Sequence, residues 1–283
     1  MKLEVLISAM HQTDLSLFKK ANIKSDTIII NQCEQNGFSE ECIDGCKVRM
    51  FSTTERGLSN SRNMALTNSD ADICLICDDD EYLYDGYESV ILDAFSEYPQ
   101  ADFIFFNIDS TNKKKRYKKI VDYGEKVKSG KAPRFKYYGS LRIAFRRKAL
   151  IEKGIRFNNC FGAGSGKISA GEESVLQADA RRAGLKMYVY PVSIGSVSQQ
   201  QSTWFEGLNE KYFYDLGACL SQMEPMLSGV LKYYYLLNIK GGELNFTTKL
   251  KYLKYGIKWF RKEGYSYQEF IDFVKFGDNI DVH

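Results

Sequence analysis

Short apolar runs alternate with amphipathic segments through the first hundred residues of the chain. The predicted strands cover residues 3–8, 26–32, 48–51, 73–80 and 103–108. The run at 73–80 begins with five consecutive apolar residues, which predicts a strand buried on both faces, as in parallel sheets. Helical segments at 15–21 and 57–66 separate these strands, and Ser59 is the predicted N-cap of the second helix.

The remainder of the chain continues this alternation and then changes character. Two further strands are predicted at residues 139–147 and 185–192, and a helix at 172–183. Strands that alternate with helices predict an α/β fold, with a largely parallel sheet flanked by helices. From about residue 205 the sequence becomes helical and rich in Tyr, Leu and Lys. We therefore predict an α/β domain over residues 1–217 and a helical C-terminal extension over 218–283.

Composition narrows the class of protein. The 283 residues are 44% hydrophobic and 27% charged, which is typical of an ordered globular protein. The net charge of +3 is too small to indicate a nucleic-acid partner. The charged N-terminal stretch does not resemble a signal peptide, and seven cysteines without one favour reduced thiols, so we expect a cytoplasmic location. Cys74 and Cys77 lie within the predicted buried strand and are expected to be core thiols.

Four carboxylates follow the apolar residues of the 73–80 run. Side chains alternate along an extended chain, so Asp78 and Asp80 are expected on one side and Asp79 on the other. Two carboxylates on one side repel unless a cation lies between them, and such oxygen ligands suit Mg²⁺ or Mn²⁺ that also binds phosphates. The alternative interpretation is an acidic turn that only solvates the strand end.

A glycine-rich loop at residues 161–171 leads to a second pair of acids. The spacing of its glycines fits neither a Walker loop nor a dinucleotide-binding loop, which favours a tight turn that delivers Glu172 and Glu173 to a helix start. Acids in a first helical turn are favoured by the helix dipole alone. Two glutamates behind a glycine loop also suit a general base that reaches a substrate hydroxyl.

The C-terminal extension is strongly basic. Between residues 232 and 262 the only acid is Glu243. The eight bases of this segment are Lys232, Lys240, Lys249, Lys251, Lys254, Lys258, Arg261 and Lys262. Aromatic residues interleave with these bases, which is typical of a helix on an anionic membrane surface. Packing of those aromatics on the main domain explains the pattern equally well.

Four stretches resemble, in order and spacing, the inverting glycosyltransferases of family 2, which have a GT-A (Rossmann-like) fold. They are GLSNSRNMAL at 57–66, ICDDDE at 76–81, GAGSGKISAGEE at 162–173 and STWFEGLNEKYFYDLGA at 202–218. The resemblance covers roughly residues 3–217 and is closest to the bacterial branch that builds capsular or other surface polysaccharides. It implies a hexosyltransferase that uses a nucleotide-sugar donor, with UDP as the default nucleotide.

The resemblance also implies roles for residues on the donor side. Asp78 and Asp80 would hold Mn²⁺ or Mg²⁺ at the donor diphosphate, with Asp80 as the more direct ligand and Asp79 beside them. The other donor-binding residues implied are Ser8, Asn31, Arg62 and Lys211.

On the acceptor side, Glu173 occupies the position of the family's catalytic base, and Glu172 beside it contacts the acceptor. Gly164 and Trp204 complete the implied acceptor site, with Trp204 as a surface on which a sugar stacks. The base removes a proton from an acceptor hydroxyl, which attacks the anomeric carbon opposite the leaving diphosphate, so an α-linked donor gives a β-linked product. The implied acceptor is a saccharide, and a lipid-linked one would suit the basic, aromatic extension.

One departure from the family pattern bears on the metal. Many relatives have a histidine after the last core strand, whereas this chain has Ser198-Gln199-Gln200 there and histidines only at His11 and His283. Two other classes stay open. A sugar-nucleotide nucleotidyltransferase would need a glycine-rich basic loop after the first strand, where this chain has residues 9–12 (AMHQ). The other is a non-catalytic saccharide-binding module of the same fold.

Overall fold

A computed structural model describes residues 1–110, 129–197, 207–239 and 241–276. Over these residues the chain forms one ten-stranded sheet, in the order β3-β4-β2-β1-β5-β9-β7-β10-β6, with β8 paired to β10. The strands are β1 Leu3–Met10, β2 Asp26–Gln32, β3 Gly37–Ile43, β4 Cys46–Thr53, β5 Ile73–Asp78, β6 Glu81–Leu83, β7 Phe103–Ser110, β8 Gly130–Lys131, β9 Ile143–Arg146 and β10 Met187–Val197.

The helices lie between and after these strands. They are α1 Leu17–Lys20, α2 Leu58–Asn68, α3 Tyr87–Glu97, α4 Arg147–Glu152, α5 Glu172–Arg182, α6 Glu210–Met223, α7 Ser228–Asn238, α8 Phe246–Tyr255, α9 Arg261–Glu263 and α10 Tyr267–Phe276. A π-helical turn, Gly256–Phe260, joins α8 to α9 without a break. None of the helices in this part of the chain has the length and hydropathy needed to cross a membrane.

The predicted α/β class with a largely parallel sheet is confirmed. Strands β4, β2, β1 and β5 are joined by parallel pairings, and β7 pairs in parallel with β10. The apolar run of β5 is buried throughout and divides between two cores. Ile73, Leu75 and Cys77 pack on one face of the sheet, and Cys74 and Ile76 pack on the other. The two thiols of this strand are therefore core residues, as predicted.

The sheet differs from the prediction in its less apolar parts. Strand β9 was predicted as a strand, but it runs antiparallel to both of its neighbours, β5 and β7. Strand β3 was not predicted, because its residues are mostly exposed and lack an apolar pattern, and helix α3 was also missed. Strand β10 extends to Val197, five residues beyond its predicted end, with register shifts between Val189 and Ser196.

Two local predictions were wrong. The extended conformation predicted for residues 73–80 ends at Asp78, because residues 79–80 form a turn, so strand alternation does not place Asp80. Ser59 is not the N-cap of α2, which begins at Leu58 after Gly57, a residue with φ of 109°. The hydroxyl of Ser59 instead donates a 2.7 Å hydrogen bond to the carbonyl oxygen of Phe161.

The helical extension packs on the sheet domain through aromatic residues. Trp259 and Phe260 are buried in a cluster with Phe161, Tyr214 and Phe270. These aromatic side chains therefore pack on the main domain, which is one of the two interpretations that the sequence left open. The boundary predicted at 217/218 falls within α6 and stays a prediction.

Close contact between α6 and the α8–α9 helix depends on glycine. A Cβ atom on Gly256 would lie 2.0 Å from the carbonyl oxygen of Tyr214, and one on Gly217 would lie 2.2 Å from that of Leu253. A side chain at either position would force the two helices apart.

We predict that Gly256→Ala lowers the free energy of unfolding by about 1–3 kcal/mol, because the added methyl group meets backbone that cannot move aside. Gly229→Ala in α7 is the matched control, since no atom lies within 4 Å of its Cβ position. The control is expected to leave stability unchanged or to raise it by up to about 1 kcal/mol. Urea unfolding of both variants measures this, and equal effects would contradict the packing described here.

Candidate active site

The carboxyl ends of three parallel strands meet at one edge of the sheet. Ser8 of β1 is in register with Asp78 of β5, and Ala9 is in register with Asn31 of β2. In open α/β sheets this edge is where ligands bind. The structure therefore brings Ser8, Asn31 and Asp78 together at this edge.

Arg62 connects this edge to the acidic pair of α5. Its side chain is only 2% exposed, and its Nη2 donates a 3.0 Å hydrogen bond to Oδ1 of Asp78. Its Nη1 donates to Oε1 of Glu173 at 2.8 Å and to Oε1 of Glu172 at 3.2 Å. The guanidinium also lies 5.5 Å from the ring centroid of Phe157. One buried cation thus links three acidic side chains from two distant parts of the chain.

The charged groups in this cluster shift one another's pKa values. Burial opposes the charge of Arg62, but the carboxylates of Glu173, Asp78 and Glu172 outweigh it and raise the pKa of the guanidinium. Burial, followed by the charge of Glu173, raises the pKa of Glu172 to about 8, while Arg62 opposes this shift. Glu172 therefore holds a proton at neutral pH, which leaves Glu173 as the better candidate for a general base.

Glu81 has a positioning role that the sequence did not reveal. Its Oε2 accepts a 2.6 Å hydrogen bond from the backbone N–H of Asp78. Its Oε1 accepts bonds from the hydroxyl of Ser140 and the backbone N–H of Leu141, at 2.9 and 3.3 Å. Burial and the nearby charge of Asp78 raise the pKa of Glu81 well above its usual value. The signal available in the sequence was an acid directly after the Asp triplet, at the start of a strand.

Asp79 and Asp80 lie in the exposed turn that follows β5. Their side chains contact solvent, but neighbouring protein atoms displace part of their hydration shell. This desolvation is the main cause that raises both pKa values, and the charge of Asp78 adds to each. An added cation would relieve this repulsion.

A divalent metal would find a small set of ligands here. No group of three His, Cys, Asp or Glu side chains within the described ranges is arranged as a metal cage. One carboxylate oxygen of Asp78 already accepts a hydrogen bond from Arg62, so the exposed Asp80 is the stronger candidate ligand for a metal ion. This donor set fits Mg²⁺ or Mn²⁺, which commonly binds one or two carboxylates and completes its shell with phosphate and water.

The strand-end amides hold neighbouring loops. Asn31 is 1% exposed, and its side-chain oxygen and nitrogen each form a 2.8 Å hydrogen bond with the backbone of Gln12. Oε1 of Gln32 accepts a 2.8 Å bond from the backbone N–H of Gly57. The hydroxyl of Ser8 accepts one from the hydroxyl of Ser61 on α2. The structure thus gives these predicted donor-binding residues supporting contacts, and direct contact with a nucleotide stays a prediction.

The glycine loop approaches the start of α2. Gly164 has φ of 73°, and a Cβ atom on it would lie 3.3 Å from the backbone nitrogen of Gly57. The backbone N–H of Leu58 donates a 2.9 Å bond to the carbonyl oxygen of Ala163. A Cβ on Gly162 would lie 3.2 Å from the carboxyl carbon of Glu172. The loop therefore fixes α5 against α2, and with it the acidic pair against Arg62.

A cavity of about 750 Å³ opens beside the first turn of α5. Gly171 and Ser174 line it next to the acidic pair, and Tyr137, Tyr235 and Asp215 line other parts. The volume is typical of small-molecule sites.

Lys211 lies on the wall of this cavity rather than at the strand ends. Its Nζ forms a 2.5 Å ion pair with Oδ2 of Asp215 and donates a hydrogen bond to the hydroxyl of Ser169. Oδ1 of Asp215 is buried and has no hydrogen-bond partner among the residues that the structure describes. Trp204 and residues 198–200, where the family histidine is replaced, lie outside the described residues.

Solved structures with a similar fold include those of TarS from S. aureus. Residues 1–349 of TarS align with a TM-score of 0.56 and 12% identity, over 93% of this chain and 73% of TarS 1–349. Its complex with UDP-GlcNAc aligns with a TM-score of 0.58 and 12% identity, and its complex with UDP with 0.56 and 13%, over the same shares of each chain. At this identity the likeness shows the fold, which is the GT-A fold of glycosyltransferases. No curated protein matches the sequence.

The fold and the strand-end site define a glycosyltransferase of the GT-A class. Residues 10–161, more than half of the 283-residue chain, match the family model described as Glycosyl transferase family 2. The chain belongs to this family, and the prediction that it is a glycosyltransferase is confirmed.

The raised pKa of Glu172 predicts a pH dependence of stability. Between its ordinary value of 4.5 and about 8, the unfolded chain has lost this proton while the folded protein retains it. Stability from this group is therefore present at low pH and declines as pH rises through this window. We expect Glu172→Gln, which resembles the protonated acid, to gain more than about 1 kcal/mol relative to wild type from pH 5 to pH 8.

Chemical unfolding at a series of pH values measures this difference. Glu152→Gln removes an exposed glutamate from α4 and serves as the control. A constant difference between Glu172→Gln and wild type at every pH would show that Glu172 is ionised in the folded protein.

Proposed function

We propose that this protein is an inverting glycosyltransferase that moves a hexose from a UDP-sugar to a hydroxyl of a saccharide. One observation carries the proposal: Arg62 holds the strand-end Asp78 and the helix-start Glu173 on the same guanidinium. A donor diphosphate bound at the strand ends and a base at the helix start would then share one site. A displacement reaction requires a leaving group on one side and a base on the other. In this proposal the strand ends hold the leaving group and the helix start supplies the base.

The donor half of the site is formed by the strand ends. Asp80, supported by Asp78, would hold a Mn²⁺ or Mg²⁺ ion at the diphosphate, with Asp79 in the same turn. When bound, such an ion stabilises the negative charge on the leaving nucleoside diphosphate. Asn31 fixes the loop at Gln12 and Ser8 contacts α2 beside the proposed nucleotide site, and Arg62 neutralises Asp78 within it. The complexes of TarS with UDP and UDP-GlcNAc support a uridine nucleotide donor.

The acceptor half is formed by α5 and the neighbouring cavity. Glu173 would remove a proton from the acceptor hydroxyl, while the protonated Glu172 holds a hydroxyl group in place. Gly164 shapes the loop beside them, and Trp204 is the proposed stacking surface for the sugar. The cavity beside Gly171 gives room for the rest of the acceptor, with Asp215 and Lys211 as polar contacts. Attack on the face opposite the diphosphate inverts the anomeric centre.

The proposed setting is the synthesis of a bacterial capsule or other surface polysaccharide, on the cytoplasmic side of the membrane. The family resemblance and the fold shared with TarS support this setting, as does a cavity large enough for a saccharide. A lipid-linked saccharide is the acceptor we favour. Membership of the glycosyltransferase family favours this proposal over a nucleotidyltransferase.

The test is turnover of a panel of UDP-sugars with Mn²⁺ or Mg²⁺, combined with calorimetric titration of UDP. We expect one donor to be hydrolysed slowly and transferred faster when a saccharide acceptor is added. Glu173→Gln should lower turnover by about 10²–10⁴-fold, because it removes the base, and should change UDP binding far less than turnover. Asp80→Asn should weaken UDP binding mainly in the presence of the metal ion.

Matched controls are Glu152→Gln and Asp93→Asn, which change exposed acids on α4 and α3. UDP binding without turnover of any donor would indicate a saccharide-binding module. If no UDP-sugar is bound and Asp80→Asn changes nothing, the proposed donor site is wrong.

A further inference from the structure

An apolar row lies on the outer face of α7. Met226 lies in the turn just before the helix, and Val230, Tyr233 and Leu237, spaced three and four residues apart, lie on one side of it. They are 97%, 71%, 43% and 71% exposed, respectively. The opposite side of α7 is packed, since Leu231 and Tyr235 lie against a buried cluster formed with α6 and α8. Isolated exposed apolar residues are common, but a continuous row of this kind marks an interaction surface.

A row of lysines lies along the adjoining helix. Lys251, Lys254, Lys258 and Lys262 are spaced three, four and four residues apart on the continuous helix formed by α8, the π-helical turn and α9. All four are exposed, whereas Leu253, Gly256 and Trp259 on the other side of this helix are buried. In the sequence from residue 225 to 262 the only acid is Glu243. Nζ of Lys262 forms a 3.4 Å ion pair with Oε1 of the adjoining Glu263, so acids of this helix compensate the lysine row mainly at that end.

Hydrogen bonds at both ends hold the two helices that carry these rows side by side. Nη2 of Arg261 donates to the carbonyl oxygen of Pro225, before α7, at 2.7 Å and to the hydroxyl of Ser228 at 2.9 Å. Nζ of Lys249 donates a 2.7 Å bond to the carbonyl oxygen of Gly241, after α7. The end of one helix thus meets the start of the other, and the helices are antiparallel neighbours over the length of both rows.

We infer that these two rows form a docking surface for an anionic lipid membrane. The apolar row would enter the boundary between head groups and acyl chains, and the lysines beside it would meet the anionic head groups. Tyr233 suits this interface because its ring is apolar and its hydroxyl is polar. Two-fold association with a second copy would bring one patch against itself, and the lysine rows would then repel each other.

The surface has a consequence for the acceptor. The inner side of α7 contributes Tyr235 and Asn238 to the cavity beside α5. A protein docked through the outer side of α7 would hold this cavity next to the lipid head groups, where a lipid-linked saccharide is presented. This consequence rests on the proposed function, whereas docking itself does not.

Co-sedimentation of the full chain with vesicles tests the docking surface. We expect binding to vesicles that contain phosphatidylglycerol, little binding to pure phosphatidylcholine, and release by high salt. The variant Lys251→Gln, Lys254→Gln, Lys258→Gln and Lys262→Gln should bind roughly six-hundredfold more weakly, at about fivefold for each lysine. Val230→Ser combined with Tyr233→Ser and Leu237→Ser should also lose most binding.

The control replaces four exposed lysines elsewhere, Lys19, Lys20, Lys24 and Lys153, with glutamine, which changes the net charge equally. It should bind vesicles as wild type does, and circular dichroism and UDP titration establish that each variant is folded.

Three results would overturn the inference: no binding to anionic vesicles, equal loss in the control, or binding unchanged in both row variants. A dimer that the apolar-row variant converts to a monomer, measured by light scattering, would assign the row to a second copy instead. Loss of vesicle binding with UDP-sugar turnover retained would separate docking from catalysis.

Discussion

The site depends on one buried arginine. Asp78, Glu172 and Glu173 come from β5 and α5, and Arg62 of α2 donates a hydrogen bond to each of them. Without that cation, the charged Asp78 and Glu173 would share a partly buried space with the protonated Glu172, at a large electrostatic cost. Without those carboxylates, a guanidinium that is 2% exposed would lack compensation. The arrangement is therefore stable only as a unit, and the surrounding contacts serve to assemble it.

Those contacts come from backbone as much as from side chains. Gly57 and Gly164 allow the start of α2 and the glycine loop to touch, and Gln32 binds the backbone of Gly57 from the strand end. Glu81 fixes the backbone at Asp78 from the other side. Each element of the site is thus held by a neighbour that contributes no chemistry of its own, which is the expected construction of a preorganised site.

Much of this was predictable from the sequence, because the strongest signals are local. The apolar run of β5 predicts a buried strand, and the glycines before Glu172 predict a tight turn. Each of these signals lies within about ten residues of the structure that it predicts. The bridge made by Arg62 was not predictable from local pattern, since Glu172 and Glu173 lie 110 and 111 residues from it in the chain. The direction of β9, the exposed strand β3 and the contacts of Asn31 are likewise set by tertiary neighbours.

The helical extension shows the same limit. Its basic, aromatic composition predicted either membrane contact or packing, and the structure assigns packing to Trp259 and Phe260. The exposed apolar row lies instead on α7, whose residues look no different in the sequence from a buried helix face. Exposure could be recognised only after the packing of α6, α7 and α8 was known.

The most direct test of the account is the free energy of unfolding of Arg62→Met, alone and combined with Asp78→Asn, Glu172→Gln and Glu173→Gln. If Arg62 compensates the three acids, the single replacement should cost about 3–5 kcal/mol, and neutralising the acids in the same chain should restore most of that loss. A cost below about 1 kcal/mol for Arg62→Met, or losses that simply add, would show that the site is not built around this arginine.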